Sequence, residues 1–195
     1  HGAGDRVVAA PADLDLGSPG ECDAPVEADA SETAEAGHPR GEALTVRLFF
    51  GHQRLNPGLA DGRKVFPTER TVYETDDLAE SVLLELFLGP TETERDEGYI
   101  STFSEATAGL LRRVRLVGGA AYVDLSDPHR VISNAATSCG REAFFAEVGE
   151  TLRDALGVQR VLYALEGDPL AFYEWMQRGC DASNDACDPR PFVEE

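Results

Sequence analysis

From Arg113 to Leu125 the chain reads as a β-hairpin and as little else. Arg113, Val114, Arg115, Leu116 and Val117 alternate polar with apolar, Gly118-Gly119 follows, and Ala121, Tyr122, Val123, Asp124 and Leu125 alternate again. A period of two sends successive side chains to opposite faces of a strand. Gly-Gly between two such runs suits a two-residue turn whose central residues both need positive φ. Val114 and Leu116 with Ala121, Val123 and Leu125 are therefore expected on one buried face. Arg113 and Arg115 fall on the other. A basic stripe of that kind is a solvated face or a protein-docking patch, and Arg113, Arg115 and Tyr122 are the interaction-face candidates.

The flanking segments supply the rest of a small domain. Leu44, Val46, Leu48 and Phe50 alternate with Thr45, Arg47 and Phe49 in a first strand, and Lys64–Val72 is a short extended segment that Pro67 confines to an edge or a strand start. Asp77 with Glu80 resembles a capping box, and the helix that follows runs through Val82, Leu83, Leu86 and Phe87 to a stop at Gly89-Pro90. Thr91 to Glu97 reads as a charged loop. After the hairpin, Ser138 is placed to cap a helix reaching Leu156, with Phe145, Val148, Leu152 and Leu156 as a one-sided stripe and Gly157 as its stop. Val158–Leu165 is the last strand, and Asp168-Pro169 opens a short helix carrying Phe172, Tyr173, Trp175 and Met176, read as core. The pattern predicts an α/β (α+β) domain: a small mixed sheet with two main helices packed on one face and a short C-terminal helix.

Charge divides the chain. Of the formal −19, residues 1–43 hold ten acidic against two basic side chains, and 181–195 hold five against one. Residues 1–43, without an aromatic residue, bury too little apolar surface to offset the entropy of ordering and are expected to be a flexible acidic tether. Residues 44–180 are the domain, with an extension at 169–180, and 181–195 form a loose acidic tail. Acidity of this degree argues against nucleic acid as a partner. No apolar run reaches the roughly 20 residues of a membrane span, so contact with a membrane is expected only through a lipid anchor upstream.

Candidate chemistry is sparse. His1, His38, His52 and His129 are isolated, and no pair sits at the spacing that places two imidazoles on one helix face. Ser126, Asp127 and His129 read as turn residues, and Glu92, Glu94, Asp96 and Glu97 as a solvated run. Asp181, Asn184, Asp185 and Asp188 offer oxygens to Ca²⁺ but lack the spacing of an EF-hand loop. No dinucleotide, phosphate-loop or nucleophile-elbow motif occurs, and neither catalytic residues, cofactor nor metal ligands are predicted. Cys22, Cys139, Cys180 and Cys187 contain no CxxC pair and are the disulfide candidates, which implies an oxidising compartment.

Three stretches in order, LLELFLGPTETE at Leu83 to Glu94, EGYIST leading into the hairpin that ends VDLS, and ETLRDALGVQRVLYALEG at Glu150 to Gly167, resemble the GerMN domain of sporulation and spore germination. The resemblance spans about Leu44 to Gly167. It implies a fold similar to the ring-building modules of sporulation envelope complexes, in secreted or lipid-anchored envelope proteins that include actinobacterial lipoproteins. It carries no catalytic residues over. The function it implies is a non-catalytic extracytoplasmic interaction or assembly module of the bacterial cell envelope, whose partners are envelope proteins or further copies of itself. Alternatives are a secreted hydrolase or a protein that binds a small ligand or Ca²⁺. The chain departs from the family pattern at Ser104, at Cys139 and in the added segment AFYEWMQRGC. Cys139 before the second main helix and Cys180 after the addition suggest a disulfide clamping the extension, leaving Cys22 with Cys187.

Overall fold

The computed structural model describes residues 42–59, 61–73, 77–132, 137–180 and 186–193. The predicted tether falls almost wholly outside them, as do Cys22, His1, His38 and the calcium candidates Asp181, Asn184 and Asp185. The described chain runs β1 (Ala43–His52), β2 (Phe66–Tyr73), α1 (Leu78–Phe87), α2 (Glu92–Glu97), β3 (Tyr99–Ile100), β4 (Leu111–Val117), β5 (Ala120–Leu125), α3 (Ser138–Leu156), β6 (Arg160–Leu165), α4 (Pro169–Trp175) and α5 (Arg190–Val193).

The mixed α+β class holds, with its strands divided between two three-stranded sheets rather than gathered in one. The first has the order β2-β1-β3, all antiparallel, and the second β4-β5-β6, in which β4 pairs antiparallel and β6 parallel to β5. Pro67 lies in the edge strand β2, where a residue without an N–H breaks no interior ladder. The hairpin register runs from Val117 opposite Ala120 to Leu111 opposite Leu125, with an irregularity at Arg112. Gly118 and Gly119 have φ of 58° and 77°, which is the turn their sequence dictates.

One apolar core joins the two sheets. Leu48 and Phe50 of β1 meet Val82, Leu83, Leu86 and Phe87 of α1, Phe144, Val148 and Leu152 of α3, and Val114, Ala121, Val123 and Leu125 of the hairpin. Leu116, expected in this layer, is instead about half exposed beside the turn. The α3 stripe enters the core through Phe144, while Phe145 packs at its margin. Phe172 and Met176 of α4 are fully buried, and Phe172 stacks on Tyr163 with centroids 4.8 Å apart. The short helix completes the core, as its composition predicts.

Caps set the helix limits. Asp77 accepts from the Ala79 and Glu80 N–H groups, Thr137 rather than Ser138 caps α3, and Gly157 ends α3 at a φ of 69°. Asp168 caps α4 with Pro169 at its first position. Thr91 to Glu97, expected as a loop, holds α2 behind a full capping box between Thr91 and Glu94. The outer edge of β6 is closed from within the chain: the Tyr163 N–H donates to the Tyr173 hydroxyl, and the Leu165 N–H donates to the Asp168 carbonyl.

Gly89 illustrates how closely the loops approach. Its φ is +74°, and a Cβ built there would lie 2.3 Å from the Phe103 carbonyl oxygen. Gly118 has a similar φ but open space around it. We therefore expect Gly89→Ala to destabilise by about 3 kcal/mol or more and Gly118→Ala by about 1 kcal/mol, the latter being the left-handed backbone cost alone. Equal losses in urea denaturation would show that the contact with Phe103 is not what demands glycine.

Candidate functional site

The predicted interaction face does not lie open. Arg113, Arg115 and Tyr122 share the outer face of the β4-β5-β6 sheet, and residues 186–193 lie across it. The Arg113 guanidinium donates to the Phe192 carbonyl, and Arg115 Nη1 donates to the Pro191 carbonyl at 2.9 Å. Phe192 is 1% exposed and sets its ring edge against Tyr122, with centroids 5.4 Å apart. Ala120, Tyr122, Leu162, Ala164, Ala186 and Phe192 form a second apolar cluster, separate from the main core. β5 is consequently buried on both faces over all six residues. The expectation of a loose tail fails for 186–193 because a buried phenylalanine and two guanidinium-to-carbonyl bonds hold them down.

The cysteines pair differently from expectation. Cys180 is bonded to Cys187, with Cα atoms 5.4 Å apart and seven residues of separation, so it does not bridge to Cys139, and Cys187 does not bridge to Cys22. Cys139 is disulfide-bonded as well. The bond therefore ties the end of the α4 extension to the start of the strap, not to the approach to α3. Beyond it Asp188 accepts from both the Arg190 N–H and its guanidinium, which hold the half-buried Asp188 carboxyl below the usual range and orient α5.

Three buried carboxylates, none expected to be buried from the sequence, join elements together. Glu147 of α3 is 1% exposed. It accepts from the Ser101 hydroxyl at 2.6 Å, the Thr102 hydroxyl at 3.3 Å, and the Gly51 and Thr102 N–H groups, tying α3 to the ends of β1 and β3. Burial outweighs these donors and pushes its carboxyl up to about 8. Asp124 of β5 accepts from the Gly167 N–H at 2.7 Å and from Arg112 at 3.1 Å. Burial raises it too, against both donors. Glu94, expected in a solvated run, is 7% exposed. It accepts from the Thr68 hydroxyl and the Thr91 N–H and pairs with Arg70, which also reaches Glu85. For Glu94 burial acts upward, but the donors and Arg70 outweigh it and hold the carboxyl low.

Signals for two of these exist in the chain. Thr91-x-x-Glu94 is a capping-box spacing, and Glu147 lies three residues after Phe144 and one before Val148, on the buried stripe of α3. Asp127 and His129 do form a turn: the Asp127 carboxylate accepts the His129 N–H at 3.0 Å and touches its ring nitrogen. His52 is buried, its Nδ1 accepting the Arg54 N–H at 3.2 Å. Among the described residues no group of three or more His, Cys, Asp or Glu is placed to hold a metal ion. No described helix is long and apolar enough to cross a membrane.

A pocket of about 370 Å³ opens at the margin of β6. Its lining joins Arg160, Val161 and Leu162 of β6 to Phe145 of α3, Tyr173 of α4, and Arg178, Gly179 and Ala186 on either side of the disulfide. The Arg178 guanidinium lies 4.8 Å from the centre of the Phe145 ring, a distance at which the ring face attracts a cation. Both arginines are exposed. Among the described residues no carboxylate, imidazole or thiol lines the pocket.

Two three-stranded sheets around one α1–α3 core define a mixed α+β domain with a concavity at β6 and buried structural carboxylates. Over residues 49–171 the chain matches the family model Germane, described as sporulation and spore germination, and it belongs to that family. The match confirms the GerMN resemblance and fits a role related to sporulation or germination. No curated protein and no solved structure matches the chain. The strap at 186–193 lies beyond the matched residues.

Glu147 makes stability depend on pH with a definite sign. Its carboxyl keeps a proton in the folded state up to about 8 but releases it near 4.5 once unfolded. Between those values the folded chain binds more protons, so this contribution weakens as pH rises, by no more than about 1.4 kcal/mol per pH unit. Glu147→Gln should remove that slope, so the difference in unfolding free energy between wild type and variant should change steadily from pH 5 to 8. A difference constant over that range would show that Glu147 is ionised in the fold.

Proposed function

We propose that this chain is a non-catalytic, extracytoplasmic interaction or assembly module of the bacterial cell envelope. The observation that carries this reading is the pocket at β6. Arg160 and Arg178 stand beside an apolar wall of Phe145, Val161 and Leu162 on a chain whose formal charge is −19. A local positive site on an acidic body favours a carboxylate-bearing segment of a partner and disfavours phosphate-rich polymers, which the remaining surface repels. The apolar wall supplies area and the Arg178 guanidinium supplies directional donors, the combination found where protein segments are recognised. Family membership supports an envelope setting, and the disulfides support an oxidising one.

The buried carboxylates support binding rather than bond chemistry. Glu94, Asp124 and Glu147 each spend their oxygens on hydrogen bonds that join secondary-structure elements, and none of them lines the pocket. A hydrolase would need a general acid or base within hydrogen-bond reach of a bound substrate, and the Tyr173 phenol that lines the pocket is engaged with the Tyr163 N–H.

Immobilised full-length chain, under non-reducing conditions, should retain a discrete set of proteins from a cell-envelope extract. The Arg160→Ala/Arg178→Ala variant should retain them at least about tenfold less well, an expected loss of about 1.4 kcal/mol or more. Retention unchanged in the variant would remove the pocket from the reading. Turnover of ester, peptide or glycoside substrates that disappears in the same variant would overturn the non-catalytic reading.

A further inference from the structure

The outer face of the β4-β5-β6 sheet is a binding groove that already holds a ligand, the chain's own C-terminal segment. We propose that Asp188–Val193 is an exchangeable strap, bound in cis while the Cys180–Cys187 bond is closed and in trans, on a second copy of the chain, once the bond is open. The inference rests on the strap geometry alone and does not require the envelope reading.

The groove recognises features that any copy of the segment presents. Arg113 and Arg115 bind the backbone carbonyls of Phe192 and Pro191, and Tyr122 with Leu162 and Ala164 receives the Phe192 ring. Val193 closes over the turn at Gly167, its Cγ1 3.1 Å from where a Cβ would stand. Nothing in these contacts depends on the segment belonging to the same molecule. The tether is what enforces that. With the bond closed, the chain path from Cys180 to Cys187 is short-circuited to 5.4 Å between Cα atoms. With it open, the same seven residues of separation can span about 23–25 Å when extended. Opening the bond lengthens the tether and lowers the local concentration of the strap at its own groove, to the order of millimolar for so short a linker, so exchange with a second copy sets in at high protein concentration. A vacated groove exposes the Tyr122 face, which a second strap re-covers with the same contacts. Two chains exchanging straps form a closed pair with self-complementary contacts, the symmetric outcome of segment exchange.

Opening requires a dithiol reductant. Its two electrons and two protons convert the Cys180–Cys187 bond to two thiols, and the dithiol becomes a disulfide through a mixed-disulfide intermediate.

The test uses the full chain with Cys180→Ser/Cys187→Ser, which opens the tether and leaves Cys139 untouched. Light scattering coupled to size-exclusion chromatography, across about a hundredfold range of concentration, should show this variant at twice the mass of the wild type at the upper end. Adding Phe192→Ala should return it to the wild-type mass, and Arg113→Ala/Arg115→Ala should weaken the association at least tenfold. A variant that keeps the wild-type mass throughout, or an association that survives Phe192→Ala, overturns the proposal. A second measurement covers a failure of the double serine variant to fold. A synthetic peptide copying residues 188–193 should bind the otherwise wild-type Phe192→Ala chain, whose groove is vacated, and should bind the wild type at least tenfold more weakly. Absence of binding to the Phe192→Ala chain, or equal binding to both, also overturns it.

Discussion

β5 is buried along its whole length because two apolar layers close on it from opposite sides, and much of the remaining architecture follows from that. Ala121, Val123 and Leu125 face the α1–α3 core, while Ala120 and Tyr122 face Phe192 and Ala186. A strand in that position cannot be left half covered: the outer face would expose Tyr122, Leu162 and Ala164 to water. Burial of such side chains is worth roughly 25 cal/mol per Å² of apolar area removed from solvent. The strap therefore belongs to the fold energetically, although it lies outside the residues that the family model matches. The matched residues supply the sheet, and residues 186–193, beyond them, supply the cover.

Where the two layers meet irregular chain, buried carboxylates act as joints. Glu147 fixes α3 against the ends of β1 and β3, Asp124 fixes the turn after β6, and Glu94 with Arg70 fixes α2 against β2. Each accepts from at least one backbone N–H group. A buried acceptor with several donors orders a loop more sharply than apolar packing does, because the hydrogen bonds fix direction as well as distance. The exposed pairs, such as Arg153 with Glu150, have little influence on this arrangement, since water and salt screen them.

The hairpin, α1, α3, β6 and α4 were legible because each carries periodicity together with a turn or cap residue of defined chemistry: Gly118-Gly119, Asp77, Gly157 and Asp168-Pro169. What escaped was tertiary in origin. The strap contains one large apolar ring in an acidic, proline-containing stretch, and nothing local reveals that Phe192 finds a pocket on β5. Arg113 and Arg115 alternate correctly to the outer face, but alternation specifies a face, not whether that face is free. The α2 helix was hidden by its charge, though Thr91 and Glu94 carry its capping signature. Connectivity of the cysteines is likewise a property of the folded path, which sets the Cα atoms of Cys180 and Cys187 5.4 Å apart. The β6 pocket gathers residues from three elements and both sides of a disulfide, a convergence that no sequence spacing encodes.

The closed edge of β6 restricts how copies of this sheet could be joined. A sheet grows into an open-ended ribbon when one edge of each copy accepts the opposite edge of the next, as in head-to-tail filaments. In the second sheet the Tyr173 hydroxyl and the Asp168 carbonyl already take up the Tyr163 and Leu165 N–H groups, and the polar pattern that an incoming strand would read is spent. Among the described residues β4 is the other outer edge of that sheet. Edge-to-edge growth of this sheet through β6 is thus blocked at those two N–H groups, by one phenol and one turn.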